Sequence, residues 1–127
     1  KIILCGITAI PPHPEIHKTA LGATESVNWE YRKDTAEAIQ ELRNEGYTII
    51  SVEQAENNIP LHQFNIDTNR KYALVFGHEI HGVRQDVVDL SDAVIVVPQH
   101  GTKHSLNVAV CTGIVVWEFF TALMGAK

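Results

Sequence analysis

Three short apolar runs constrain this chain more than anything else in it: YTIISVE (Tyr47–Glu53), KYALVFG (Lys71–Gly77) and AVIVVP (Ala93–Pro98). They are rich in β-branched residues and apolar at nearly every inner position, so each predicts a strand covered on both faces. Strands of that kind belong to parallel sheets, and helices must supply the cover. DTAEAIQELRN (Asp34–Asn44) sets Ala36, Ile39 and Leu42 on one helical face, with Asp34 placed to cap its start and Gly46 to stop it. DVVDLSD (Asp86–Asp92) predicts a short helix or turn. Asn107 to Met124 predicts an apolar helix in which Leu106, Val110, Ile114, Trp117 and Phe120 recur at three- or four-residue steps. Ahead of these, KIILCGI (Lys1–Ile7) predicts a buried strand. The prolines that follow forbid regular structure until about Glu15, after which a short helix, Glu15 to Leu21, ends at Gly22. The order strand, helix, strand, strand, short helix, strand, helix predicts the α/β class: a mostly parallel sheet with helices on both faces.

At 127 residues the chain is expected to be one domain with its own core, and the 45% apolar and 20% charged fractions are those of a globular protein. No apolar run reaches the roughly 18 residues that span a bilayer, and the first residues lack the basic-then-apolar pattern of a signal peptide, so a cytoplasmic protein is expected. The net charge of −5 argues against gripping nucleic acid through the overall field, so any RNA contact has to be local. Cys5 and Cys111 each sit in an apolar segment and form no CxxC, which predicts free, buried thiols.

In open parallel sheets a ligand sits in the crevice beyond the strand carboxyl ends, and two polar loops follow strands directly. FGHEIHGV brackets Glu79 between Gly77 and Gly82, which permit tight turns and close approach of a ligand to the backbone. PQHGTKHSLN leads from Pro98 into the last helix and crowds His104, Ser105 and Asn107 at its entry, where one capping residue would suffice. His78, His81, His100 and His104 raise a zinc site, but no HExxH and no third ligand at a predictable spacing accompany them, so no metal is expected. Neither GxGxxG, GxxxxGK[ST] nor a GxSxG elbow is present.

LVFGHEIHGV, VIVVPQHGTKHSLNVAV and the trailing GIVVWEF resemble, in order and spacing, the second and third motifs of the SpoU/TrmH class of SPOUT methyltransferases, and EIHKTALGA is similar to a further stretch of that family. The resemblance covers nearly the whole chain, read as a single methyltransferase domain over residues 1–127. It implies an enzyme that transfers a methyl group from S-adenosylmethionine to a ribose 2′-hydroxyl of tRNA or rRNA. It also implies an α/β sheet whose C-terminal part is threaded into a deep trefoil knot, which no periodicity would have indicated.

The resemblance further implies a cofactor site at Val52, Gly77, Glu79, Gly82, Val97, Pro98, Ser105 and Leu106, with Glu79, Ser105 and Asn107 near the reacting centre. The proton of the ribose hydroxyl falls, in the family, to a first-motif Arg beside an Asn. Lys1 is read as lying after that motif, so a further N-terminal segment is expected, and neither Arg32 nor Arg84 matches the missing position. A catalytically silent RNA-binding module that keeps the cofactor fold is the alternative. A homodimer is expected with the resemblance, since the acidic balance suits the family if RNA is bound across two subunits, and an apolar last helix with Val116, Trp117, Phe119 and Phe120 on more than one face suits such an interface or ordinary core packing.

Overall fold

The computed structural model describes residues 1–6, 26–54, 57–78, 81–100 and 107–125. It divides into two compact units, Lys1–Ala38 and Ile39–Lys127. In the first, β1 (Ile2–Cys5) runs parallel to β2 (Trp29–Arg32), with Ile2 opposite Trp29 and Cys5 opposite Arg32. Gly6 ends β1 at φ +62°, a conformation glycine adopts without strain, and its N–H reaches the Arg32 carbonyl at 3.1 Å. The strand predicted over Lys1–Ile7 is thus shorter, and β2 has no counterpart among the predicted strands. WEYR alternates bulky and charged residues and leaves Trp29 and Tyr31 exposed, so it lacks the continuous apolar signature of a covered strand. The predicted helix Glu15 to Leu21 lies outside the described residues.

Helix α1 spans Thr35–Asn44, and Asp34 caps it as the sequence suggests: its Oδ1 accepts the Glu37 N–H at 3.3 Å. Beyond it, β3 (Tyr47–Val52), β4 (Ile59–Pro60), a 3-10 turn (Leu61–Gln63), β5 (Lys71–Phe76), helix α2 (Gln85–Asp89), β6 (Ala93–Val96) and helix α3 (Val108–Leu123) follow in order. The four strands form one wholly parallel sheet in the order β4-β6-β3-β5. β4 escapes sequence reading because it has only two residues and one is proline, which the edge position tolerates.

The period of two along β3 sorts the core. Ile50 and Val52 face a cluster holding Leu61, Ile95, Val115 and Phe119, with Tyr72, Leu74 and Phe76 of β5 packed against it. Ile49 faces the other way, with Ile39 of α1, Val87 of α2 and the partly buried Ala73 and Val75 of β5. Helix α3 therefore covers one face while α1 and α2 cover the other, the arrangement that apolar runs buried on both sides require. Ile49, Ile50, Ile95 and Val115 are fully buried. Ser51, also buried, is reconciled to that place by a hydrogen bond between its hydroxyl and that of Ser91, which donates in turn to the Val87 carbonyl. Asp92 closes the foot of the β3–β6 ladder, its carboxylate accepting the Ile49 N–H and its own N–H reaching the Ile49 carbonyl, both at 2.7 Å.

Helix α3 is apolar all round. The stripe picked out by periodicity, Val110, Ile114, Trp117 and Phe120, is exposed, and the opposite side, with Val115 and Phe119, enters the core. Phe119 forms an aromatic triad with Tyr72 and Phe64, its ring centroid 5.1 Å and 6.0 Å from theirs.

Candidate functional site

Because all four strands run parallel, β3, β5 and β6 deliver their carboxyl ends to the same edge of the sheet. The registers fix how closely. Val52 lies opposite Phe76 on one side and opposite Ile95 on the other, so the chain leaves β3 at Glu53, β5 at Gly77 and β6 at Val97 side by side. The two loops singled out in the sequence do not follow adjacent strands, since β3 lies between β5 and β6. They still open at one edge, which is what a shared crevice requires.

The loop after β5 is built by close backbone packing. His78 and Gly82 form an isolated antiparallel bridge: the His78 N–H donates to the Gly82 carbonyl at 3.2 Å, and the Gly82 N–H returns to the His78 carbonyl at 2.8 Å. Gly82 stands at φ +65°. A Cβ on Gly77 would lie 2.2 Å from the Gly82 carbonyl carbon and 2.3 Å from the Val83 nitrogen, so glycine is demanded there by the chain folding back on itself. His78 and His81 stack with ring centroids 4.9 Å apart, and the His81 N–H points to His78 Nδ1. Among the described residues, no group of three His, Cys, Asp or Glu side chains is arranged to hold a metal ion.

Glu53 was not among the residues singled out by sequence, yet its carboxylate anchors this loop. Oε2 accepts the Val83 N–H at 2.6 Å, Oε1 accepts the Gln54 N–H at 2.8 Å, and the Glu53 N–H ties back to the Ile95 carbonyl at 3.1 Å. One half-buried acid therefore ties the end of β3 to the loop backbone at Val83, while its own N–H ties the same point to Ile95 of β6. The only sequence signal was its place immediately after the apolar run of β3.

Helix α3 enters the same region. Asn107 is its cap: Oδ1 accepts the N–H groups of Ala109 at 2.8 Å and Val110 at 3.4 Å. The cap uses only the carbonyl oxygen of the amide. Cys111, one turn on, packs with Val52 and Val97 against the core. Burial pushes its thiol pKa up, and the nearby Glu53 carboxylate adds to the effect. Both cysteines are free thiols, and both are half-buried rather than buried as the sequence suggested. In a Cys5→Ser chain, iodoacetamide should alkylate Cys111 several-fold more slowly than glutathione at about pH 8, because less of it is thiolate. Equal rates would contradict the placement of Cys111 under the strand ends.

Of the residues expected at the site, Val52, Gly77, Gly82 and Val97 are gathered at this edge, with Val52 buried, Gly77, Gly82 and Val97 half-buried, and Pro98 exposed just beyond. β6 ends at Val96, two residues before the proline that the sequence suggested would close it. Glu79, Ser105 and Leu106 lie outside the described residues. The Arg84 guanidinium is engaged by a neighbouring acid. Its Nε and Nη2 donate to the two Asp86 carboxylate oxygens at 3.0 Å and 2.7 Å, and this hydrogen bonding holds Asp86 below its usual pKa.

A family model described as "SpoU rRNA Methylase family" matches residues 1–117. The chain is 30% identical over 96 residues to the "tRNA (guanosine(18)-2'-O)-methyltransferase" of Aquifex aeolicus, a match spanning 73% of this chain and 44% of that protein. It is 29% identical over 103 residues to the protein of the same name from Borreliella burgdorferi, spanning 81% and 46%. Among solved structures, the Aquifex aeolicus "TrmH/SpoU tRNA modifying enzyme" superposes with a TM-score of 0.77 at 26% identity, over 93% of this chain and 59% of that one. An "AdoMet bound rRNA methyltransferase from Sinorhizobium meliloti" gives 0.86 at 24% identity, over 95% and 45%, a likeness of fold. The chain spans about half the length of the curated relatives it matches.

Proposed function

Because the chain belongs to the SpoU rRNA Methylase family, we propose that it transfers a methyl group from S-adenosylmethionine to a ribose 2′-hydroxyl of tRNA or rRNA. The observation that carries this is the meeting of three parallel strand ends with the Gly77–Gly82 turn and the Asn107-capped start of α3. Relatives whose names specify tRNA 2′-O-methyl transfer favour a working enzyme over a silent RNA-binding module.

The residues present fit the cofactor. An adenosyl group needs an apolar slot with hydrogen-bonding backbone at its edge. Val52 and Val97 supply apolar surface where the strands end, and the chain leaving β5 at Gly77 supplies backbone at the same edge. The proposed cofactor residues are Val52, Gly77, Glu79, Gly82, Val97, Pro98, Ser105 and Leu106, and the residues proposed to take part in methyl transfer are Glu79, Ser105 and Asn107. When bound, S-adenosylmethionine supplies an electrophilic methyl group. A ribose hydroxyl attacks only as its proton is removed or stabilised, so the residues facing it have to orient the hydroxyl and exclude water.

Asn107 separates two roles cleanly. Loss of the cap in Asn107→Ala should cost about 1 kcal/mol of stability. Methyl transfer should fall about 100-fold, the size of a lost group at a reacting centre. Activity that falls only in proportion to folded protein would leave Asn107 a cap and nothing more.

The proposal extends to a homodimer and to the knotted threading of the C-terminal segment. Supporting the first is the outer face of α3, where Val110, Ile114, Trp117, Phe120 and Met124 are exposed and Trp117 stacks on Phe120. A second copy covering this face would also let two subunits pool basic side chains on one RNA despite the net charge of −5. Trp117→Glu should therefore shift the chain to monomer in analytical ultracentrifugation with its helicity unchanged, and a persisting dimer would place the interface elsewhere. The fold likeness to solved SpoU structures supports the knot. Among the described residues no helix is long and apolar enough to cross a membrane, and a cytoplasmic site of action is part of the same proposal. Calorimetric titration with S-adenosylhomocysteine, followed by mapping of ribose methylation in RNA treated with the enzyme, tests the whole.

A further inference from the structure

We infer that Glu53 is a positioning residue for the cofactor loop: its carboxylate, fixed at the end of β3, sets the backbone at Gly82 and Val83 and so the shape of the proposed S-adenosylmethionine site. The inference rests on the function proposed above. Three contacts in series carry it. Glu53 Oε2 accepts the Val83 N–H at 2.6 Å. It also fills the space in front of Gly82, where a Cβ would lie 2.0 Å from it. Gly82 and Val83 in turn fill the space in front of Gly77, 2.2 Å and 2.3 Å from where its Cβ would be. The carboxylate, the Gly82–Val83 backbone and Gly77 are thus stacked in contact, and a displacement of the first is passed to the last.

The other carboxylate oxygen is held as well. Oε1 accepts the Gln54 N–H at 2.8 Å, so the group cannot swing without losing a second hydrogen bond. The Glu53 N–H bonds to the Ile95 carbonyl at 3.1 Å, which binds the anchor to the strand on the far side of β3 from the loop. An anion is well suited to this place. A carboxylate accepts two backbone N–H groups at once, whereas a glutamine at the same position offers one acceptor oxygen and turns an NH2 toward the remaining N–H. The expected order of site integrity is therefore Glu, then Gln, then Ala.

The test uses the intact chain with Glu53→Gln and Glu53→Ala, in three measurements. The wild type is first titrated with S-adenosylhomocysteine; absence of binding would overturn the methyl-transfer reading itself. Given wild-type binding, Kd is expected to rise about threefold in Glu53→Gln and at least tenfold in Glu53→Ala, roughly the tenfold that one lost hydrogen bond of this size represents. In steady-state transfer, KM for S-adenosylmethionine should rise with KM for RNA unchanged, a split that general loss of stability would not produce. The third measurement needs no cofactor: amide exchange at Val83 should accelerate in Glu53→Gln relative to wild type. If Glu53→Ala does not fold, Glu53→Gln decides alone. Unchanged Kd and KM in a folded variant, or a Val83 amide as protected as in wild type, would overturn the positioning role while leaving the methyl-transfer reading intact.

Discussion

Gly77→Val is expected to lower affinity for S-adenosylhomocysteine by at least ~100-fold, a loss of about 2.7 kcal/mol. The reason lies in the first added carbon. A Cβ at Gly77 would sit 2.2 Å from the Gly82 carbonyl carbon and 2.3 Å from the Val83 nitrogen, distances at which backbone has to move. Movement there strains the bridge between His78 and Gly82 and pulls Val83 from the Glu53 carboxylate. The sequence suggested that a side chain at Gly77 would simply fill space meant for a ligand. The structure gives a different cause, because the space beside Gly77 already belongs to its own loop. The two causes are separable: Gly77→Ala should be nearly as damaging as Gly77→Val, since both carry the offending carbon, whereas simple filling would grade with side-chain volume. Near-normal binding in Gly77→Ala, measured by calorimetry, would contradict the packing described here.

The second large effect is on stability. Phe119 is 3% exposed and packs α3 against Tyr72 of the sheet and against Phe64 after the 3-10 turn. Truncating such a ring removes buried apolar surface and leaves a cavity, at a cost of about 3–5 kcal/mol for Phe→Ala. For a chain of this size that lowers Tm by roughly 10–20 °C. Phe120, the next residue, is 53% exposed, and Phe120→Ala in monomeric chain should change Tm little. Differential scanning calorimetry on the pair is a direct check on which face of α3 is inside. A larger loss from Phe120→Ala would mean that the helix is rotated.

That helix shows how far sequence carries. Its limits, Asn107 to Met124 by pattern and Val108–Leu123 in the structure with Asn107 as cap, were legible because capping chemistry and the proline-bounded loop frame it. Its inward face was not. Where every face is apolar, periodicity has no contrast to read, and the stripe that recurs most regularly turned out to be the exposed one. The three covered strands were legible to within one or two residues, because burial on both faces leaves a continuous apolar run. β2 and β4 were not, one being exposed and charged, the other two residues long.

The site divides in the same way. Gly77 and Gly82 announce a turn that tolerates no side chain, and resemblance to a family lends Val52, Val97 and Pro98 a role. Nothing in the residue order says that β3 stands between β5 and β6, because parallel strands pair across long connections. Glu53 was invisible for that reason. Its importance comes from partners 30 residues away at Val83 and on β6 at Ile95, which only the strand order brings beside it.

We place the proposed adenosyl-cofactor site at the carboxyl ends of β3, β5 and β6. A crystal structure of the chain with S-adenosylhomocysteine is the decisive measurement. The molecule is expected against Gly77, with its adenine between the chain ends at Val52 and Val97. Density at the opposite edge of the sheet, by Tyr47 and Lys71 where β3 and β5 begin, would contradict it.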